Sequence, residues 1–132
     1  MAGVFPNAAE DLVLKLLINQ ASPQSLVLKL FTNDVTPGET DTEATYTEAS
    51  GHGYAPATLT PGTWTVTTGF PSQAAYPAQT FTFTGPLGNV YGYYLTQVSS
   101  GKLLVAERFQ DAPLVVANNG DEIRVSVAMT LD

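Results

Sequence analysis

VYGYYLTQVSSGKLLVAERF, residues 90–109, contains two runs of β-forming residues separated by a Ser-Ser-Gly break. Two such runs around a short turn predict an antiparallel hairpin. Successive residues of a strand point to opposite faces, so Tyr91, Tyr93 and Tyr94 are divided between both sides of the first strand. One interpretation is core on one side and a contact with a neighbouring strand or subunit on the other. The other interpretation, which we rank second, is a stacking platform for sugar rings that also uses Trp64.

Short alternating runs recur along the rest of the chain and predict further strands. They are SLVLKLF, YAPATL, TWTVTTG, TFTFTG, APLVVA and EIRVSVAMTLD. FPSQAAYPAQ, residues 70–79, is predicted to be a loop, and Asn118–Asp121 a turn. About eight short strands with turns at fairly regular spacing are typical of an antiparallel sandwich. We therefore predict an all-β fold, an antiparallel β-sandwich of jelly-roll type with a short N-terminal helix.

The predicted helix lies in PNAAEDLVLKLLIN, residues 6–19. Asn7 stands three residues before Glu10, a spacing related to the capping box. Glu10 and Asp11 would fall in the first turn, where the helix dipole favours negative charge. The leucines in the same segment also alternate, which would suit a strand. We predict a helix because of the capping spacing and the acidic first turn. Either this helix or the first residues, 1–6, is predicted to act as an arm.

Length and cysteine content limit the class of protein. The 132 residues suffice for one domain with a hydrophobic core. We predict an N-terminal arm and short helix over 1–24 and a β-sandwich over 25–132, with no secretory signal. The chain has no cysteine, which excludes disulfides and thiolate metal sites. No apolar run approaches the roughly 18 residues of a membrane span.

The charge pattern argues against two classes of partner. The net charge is −7, and the five basic residues are scattered along the chain. Phosphate backbones and anionic membranes both require clustered positive charge, so neither nucleic acid nor membrane is expected as a partner. Only 13% of residues are charged, against roughly 25% in an average soluble domain. Threonine supplies much of the polarity and favours neutral, solvated strand faces.

Few residues offer catalytic or metal-binding chemistry. His52, between Gly51 and Gly53, is the only histidine, and we expect neither a His-based metal site nor a Ser-His-Asp triad around it. A permissive turn explains this segment. The acidic segment 34–48 lacks the spacing of a calcium-binding loop; a solvated loop is preferred and calcium binding is the alternative. No catalytic, metal or cofactor residue is predicted, and we expect no enzyme activity.

Glu107 and Arg108 are adjacent in the second strand of the hairpin and therefore point to opposite faces. Glu107 would share its face with Leu103, Val105 and Phe109, and an unpaired buried carboxylate is costly. We predict an ion pair across a strand or a subunit interface, with glycosidase-like catalysis as the minor alternative. The candidate interface residues are Phe5, Tyr46, Tyr54, Trp64, Tyr91, Tyr93, Tyr94, Glu107 and Arg108.

The order of these segments resembles a family of small virion proteins of tailed bacteriophages. The resemblance is carried by EDLVLKLLIN, LVLKLFTNDVTPGETDT, GYAPATLTPGTWTV, YPAQTFTFTG, VYGYYLTQVSSGKLLVAERF and VANNGDEIRVSVAMTL. It implies a head decoration (cement) protein that binds the major capsid protein on the assembled shell, often as a homotrimer. It also implies synthesis in the host cytoplasm and a location on the virion head. A tail or neck component and a carbohydrate-binding module are the alternatives.

Overall fold

The computed structural model describes residues 4–131, which form one α-helix and nine β-strands. The helix α1 spans Asn7–Leu17. The strands are β1 (Leu26–Phe31), β2 (Ala57–Leu59), β3 (Thr65–Thr67), β4 (Ser72–Thr82), β5 (Gly88–Val90), β6 (Gly92–Gln97), β7 (Leu103–Arg108), β8 (Leu114–Val116) and β9 (Glu122–Leu131).

The strands form three antiparallel sheets, ordered β2-β1-β6-β7, β3-β4-β9 and β5-β8. Buried side chains from all three sheets meet in one central core, among them Leu30, Val116 and Val125. The all-β prediction is confirmed in this coarser form. Residues 4–131 are mostly β, with one short helix and antiparallel sheets that are not closed into a barrel.

The predicted hairpin of β6 and β7 is confirmed, but it contains a β-bulge. Leu95 pairs with Val105 and the next residue, Thr96, pairs with Leu103, so Leu104 is the extra residue. An extra residue reverses the alternation on one side of the bulge. Leu103 consequently lies on the opposite face of the sheet from Val105. The prediction that these two residues share one face is wrong for this reason.

Helix α1 is confirmed, but it begins differently from the prediction. Pro6 is the N-cap residue, it makes no side-chain cap bond, and Asn7 is the first helical residue. The N–H of Asn7 donates to the carbonyl of Glu39 at 2.9 Å. A loop that is distant in sequence thus satisfies one of the free N–H groups of the helix, so no capping box is formed at Asn7 and Glu10.

Strand β4 was predicted as a loop over residues 70–79, and this is wrong. β4 runs over Ser72–Thr82 because it pairs with β9 along nearly its whole length. Pro77 lies at a register shift between Tyr76 and Gln79, where a residue without an N–H is tolerated. Proline and polar residues lower the local β-propensity, whereas pairing with a distant strand decides the conformation.

Residues 4–6 lie on the body of the domain rather than forming the predicted arm. The N–H of Val4 donates to the carbonyl of Ala106 at 2.8 Å, and the N–H of Ala106 donates back at 3.2 Å. This places Val4 along the outer edge of β7. Phe5 packs against the central core and Pro6 is buried. The rest of the predicted arm, residues 1–3, lies outside the described residues.

Candidate functional site

Tyr93 and Tyr94, the centre of the hairpin, point to opposite faces of β6, and each is only 3% exposed. Tyr93 lies in the central core. Tyr94 lies in a second group of buried residues on the outer face of the four-stranded sheet, which we call the outer cluster: Phe31, Tyr46, Tyr94, Leu103 and Ala106. The packing interpretation of these two rings is confirmed. The element that covers the second face is a loop of the same chain.

That cover is supplied by the acidic segment. Tyr46 stacks on Tyr94 with ring centroids 5.1 Å apart and lies 4.9 Å from the ring of Phe31. Its hydroxyl donates to the carboxylate of Asp41 at 2.6 Å. Tyr46 is 6% exposed, so it presents almost no surface to a partner. The segment predicted as a solvated loop therefore contains a buried anchor.

The carboxylates of the acidic segment bind different partners within the chain. Asp34 forms an ion pair with Arg108 at 2.7 Å, and Glu48 accepts a hydrogen bond from the hydroxyl of Tyr54 at 2.9 Å. Within residues 4–131, no group of three or more His, Cys, Asp or Glu side chains is placed to hold a metal ion. The described structure thus provides no ligand cluster for calcium in this segment.

Glu107 and Arg108 point to opposite faces, as predicted. Glu107 lies opposite Tyr93 and accepts a hydrogen bond from its hydroxyl at 2.9 Å. Its partner within the chain is therefore a phenol rather than a basic side chain. Arg108 lies 5.1 Å from the ring centroid of Tyr91 and donates to Asp34 on the other face. Since the Asp34 side chain is 69% exposed, this ion pair contributes little stability.

The remaining predicted aromatics are half-buried, and each has a different neighbour. Tyr54 stacks on Phe81 with centroids 6.0 Å apart. Trp64 meets Tyr76 edge-on, with 67° between the ring planes. Tyr91 is covered by a guanidinium group, as described above. A sugar platform needs rings that are exposed and coplanar, and the Trp64–Tyr76 pair is not coplanar.

His52 lies in a turn with left-handed backbone conformation. Its φ is 50°, between Gly51 at 78° and Gly53 at 79°. The turn is held by the carbonyl of His52, which accepts a hydrogen bond from the N–H of Thr84 at 2.8 Å. The interpretation of this segment as a permissive turn is confirmed.

Burial raises the pKa of four tyrosines: Tyr46, Tyr54, Tyr93 and Tyr94. For Tyr94 the pKa rises to about 12, mainly through burial and further through the nearby carboxylate of Glu48. The phenol hydroxyls of Tyr46, Tyr54 and Tyr93 donate to carboxylates, and these also raise the pKa of each hydroxyl. The folded chain therefore holds these protons more tightly than the unfolded chain.

We expect an alkaline unfolding transition from these raised pKa values. The unfolded chain releases tyrosine protons near pH 10, whereas the folded chain keeps them. The stabilisation is therefore present below pH 10 and is lost as the pH rises, by at most about 1.4 kcal/mol per pH unit for each tyrosine. The tyrosinate absorbance of these four residues should rise together with the loss of circular dichroism, after that of Tyr76, whose pKa is lowered by its hydrogen bond to the Thr60 side chain. Ionisation of all four of these tyrosines near pH 10, with unchanged circular dichroism, would contradict this expectation.

An apolar groove, which sequence reasoning missed, runs between α1 and the three-stranded sheet. It consists of two adjoining cavities of about 330 Å³ and about 350 Å³. Both cavities are lined by Leu16, Val66, Ala74, Leu104 and Met129. None of the lining residues is charged. The groove therefore suits a neutral, apolar occupant.

Helix α1 is apolar on more of its circumference than the domain covers. The groove side carries Leu12, Val13 and Leu16. The exposed side carries Leu14, Leu17 and Ile18, which are 62%, 77% and 63% exposed. At about 100° per residue these six side chains span roughly 240°, more than twice the apolar stripe that a surface helix needs. The ion pair of Asp11 and Lys15 occupies the remaining side.

The groove and the helix form one surface, which we call the α1 face. It comprises the groove and an exposed ridge of Leu14, Leu17 and Ile18. The groove wall adds Val66 and Leu131, which are 74% and 63% exposed. The signal in the sequence was the run of residues 12–18, in which Lys15 is the only polar residue. Because consecutive residues of a helix are about 100° apart around its axis, such a run cannot lie on one side of the helix.

Comparison with protein-family models, with curated protein sequences and with solved structures gave no match. Within residues 4–131, no helix has the length and apolar character needed to cross a membrane. A proposal about function therefore depends on the surface and chemistry of the chain itself.

Proposed function

We propose that this chain is a non-enzymatic structural protein of a tailed-bacteriophage virion, a head decoration (cement) protein that binds and stabilises the assembled shell. The observation that carries the proposal is the α1 face, an exposed apolar surface with an uncharged groove through which a structural protein can assemble, either on the shell or copy to copy. Contiguous exposed apolar patches of this kind mark sites of protein–protein interaction. The resemblance of the sequence to small virion proteins supports the same assignment.

The internal pairing of reactive groups also supports a binding role. The hydroxyl of Tyr93 donates to Glu107, and the hydroxyl of Tyr54 donates to Glu48. Each of these phenols has its hydroxyl bonded to a carboxylate of the same chain, so the pair contributes to packing within the domain. The groove of the α1 face is lined without charged residues, so it offers no general acid or base.

The proposed partner is the major capsid protein, and the proposed location is the head surface of the virion after synthesis in the host cytoplasm. We propose a homotrimer as the assembled form. The net charge of −7 disfavours binding to DNA, which suits a protein that must find the shell in a cell full of phage DNA. For the fold we propose a jelly-roll sandwich, supported by a core shared between antiparallel sheets.

The test is co-sedimentation with heads of a phage whose genome encodes this chain, prepared without it. We expect saturable binding of the purified chain and a higher temperature of DNA release from the decorated heads. The matched control is the same mixture with heads of an unrelated phage, which should not bind. Absence from intact particles together with no binding to heads would overturn the proposal. Binding of the chain to insoluble polysaccharide instead would support a carbohydrate-binding module.

A further inference from the structure

The α1 face presents a ridge and a groove side by side. The ridge of Leu14, Leu17 and Ile18 is convex and aliphatic, and the groove beside it is concave, uncharged and mostly apolar. We propose that the occupant of the groove is a second copy of this chain, with the ridge of one copy lying in the groove of another. One surface then supplies both halves of the contact.

The charges of the chain restrict where a second copy can bind. Each chain carries a net charge of −7, so two copies repel each other over most approaches. The groove has no charged lining residue. Among the described residues, the charged groups beside the ridge are the ion pair of Asp11 and Lys15 at 2.7 Å and the exposed Glu10. Two copies can therefore meet through the groove without placing a carboxylate inside it, and the exposed Glu10, one turn before Leu14, would lie at the rim of the contact.

The size of the face also fits self-association. Its five exposed aliphatic residues are 62–77% exposed. Together, with Val66 and Leu131 of the groove wall included, they approach or exceed the roughly 300–600 Å² of the largest patch on a typical monomer. A standard interface buries about 800 Å² on each partner, about a tenth of the surface of a small protein. The described chain has 7360 Å² of accessible surface, so the α1 face is of the required order.

The symmetry of the contact follows from its two halves. A ridge and a groove on each copy can be satisfied reciprocally by two copies about a two-fold axis, or head to tail in a closed ring. The ring would produce the homotrimer proposed above, and both arrangements use the same residues. The inference does not rest on a role in the virion, because the purified chain alone should show it.

The first test is sedimentation velocity of the purified full chain over a range of concentrations, with two variants of the α1 face. Leu17→Gln changes the ridge and Val66→Thr changes the groove wall. The matched control is Val115→Thr. Val115, like Val66, is the middle residue of a three-residue strand, and the two are 64% and 74% exposed. We expect each face variant to weaken self-association at least tenfold and the control to leave it unchanged.

The second test uses the absence of cysteine from the natural chain. A Leu17→Cys copy mixed with a Val66→Cys copy of different length should form a mixed disulfide under mild oxidation. A Leu17→Cys copy mixed with a Val115→Cys copy should not. Since each copy has one cysteine, every mixed disulfide joins two copies.

Three results would overturn the inference. They are a monomer at all concentrations, an oligomer that is equally stable in all three substituted chains, and equal yields of the two mixed disulfides. A monomeric chain whose binding to heads is lost in Val66→Thr but kept in Val115→Thr would assign the face to the capsid instead. That result would leave the proposed function standing while removing the second copy from it.

Discussion

Gly92→Ala is expected to lower the free energy of unfolding by about 3 kcal/mol, the upper end of the usual cost of overpacking a core. Gly92 begins β6 and lies between Phe31 of β1 and Arg108 of β7 in the sheet. A Cβ at this position would lie 2.6 Å from ring atoms of Phe31 and would also clash with the carbonyl oxygen of Glu107. The ring is fully buried and the carbonyl belongs to the sheet backbone, so neither can move away cheaply.

Urea denaturation followed by circular dichroism measures this effect, and Gly62→Ala is the matched control. A Cβ at Gly62 would meet no atom within 4 Å. Gly62 also has no left-handed backbone conformation that a side chain would strain. Gly62→Ala should therefore change the free energy of unfolding by no more than about 0.5 kcal/mol. Equal stability of the two variants would show that Phe31 does not approach the backbone at Gly92.

Tyr46→Ala is expected to lower the free energy of unfolding by about 3 kcal/mol or more, the range for deleting a buried aromatic side chain. Tyr46 fills the outer cluster between Phe31 and Tyr94, with ring centroids 4.9 Å and 5.1 Å away. Its loss would leave a cavity and expose the outer face of the four-stranded sheet. Hydrogen exchange of residues 32–48 should accelerate because the segment loses its buried anchor.

Tyr46→Phe is the control for this prediction. Phenylalanine keeps the ring contacts with the outer cluster and removes only the hydrogen bond from the hydroxyl to Asp41. A single hydrogen bond of this kind contributes about 1 kcal/mol or somewhat more when its acceptor is charged. If Tyr46→Ala destabilised the protein no more than Tyr46→Phe, the packing of the ring would contribute nothing and the segment would be a solvated loop after all.

Much of the fold could be predicted because alternation is a local property of the chain. In β9 the alternation places Ile123, Val125, Val127 and Met129 on one face, and the first three are buried while Met129 is half-buried. In the hairpin, the two β-forming runs around Ser-Ser-Gly pair with each other as expected. Each of these features depends on residues within one strand or one turn, so a short window of sequence contains the required information.

The errors in the prediction arose where distant contacts decide the local structure. β4 is a strand because β9, about fifty residues away, pairs with it, although its own segment contains proline and polar residues. The bulge at Leu104 reverses the side-chain order within β7, and no motif marks it. The predicted surface loop is buried at Tyr46 because the aromatic residues that receive it lie on β1 and β6.

The predictions about the candidate interface were also limited by contacts between distant parts of the chain. Tyr46, Tyr93 and Tyr94 were selected as aromatic residues of strands or edges, and the structure buries them within the chain. The α1 face was not predicted, although its apolar run was visible in the sequence. A run of this kind shows that a helix has more apolar surface than one neighbour can cover. It does not show which part remains exposed, since that depends on which side of the helix packs against the sheets.

The strand-rich class, the helix, the hairpin and the absence of thiol chemistry follow from the sequence alone, because composition and periodicity act over a few residues. Only the tertiary structure decided which faces are covered, which carboxylates are paired and where apolar surface remains. These properties depend on contacts such as that between Tyr46 and Tyr94, which are 48 residues apart in the chain. The physical reason is that burial and pairing are set by the elements that arrive from elsewhere in the chain, not by the neighbours of a residue in sequence.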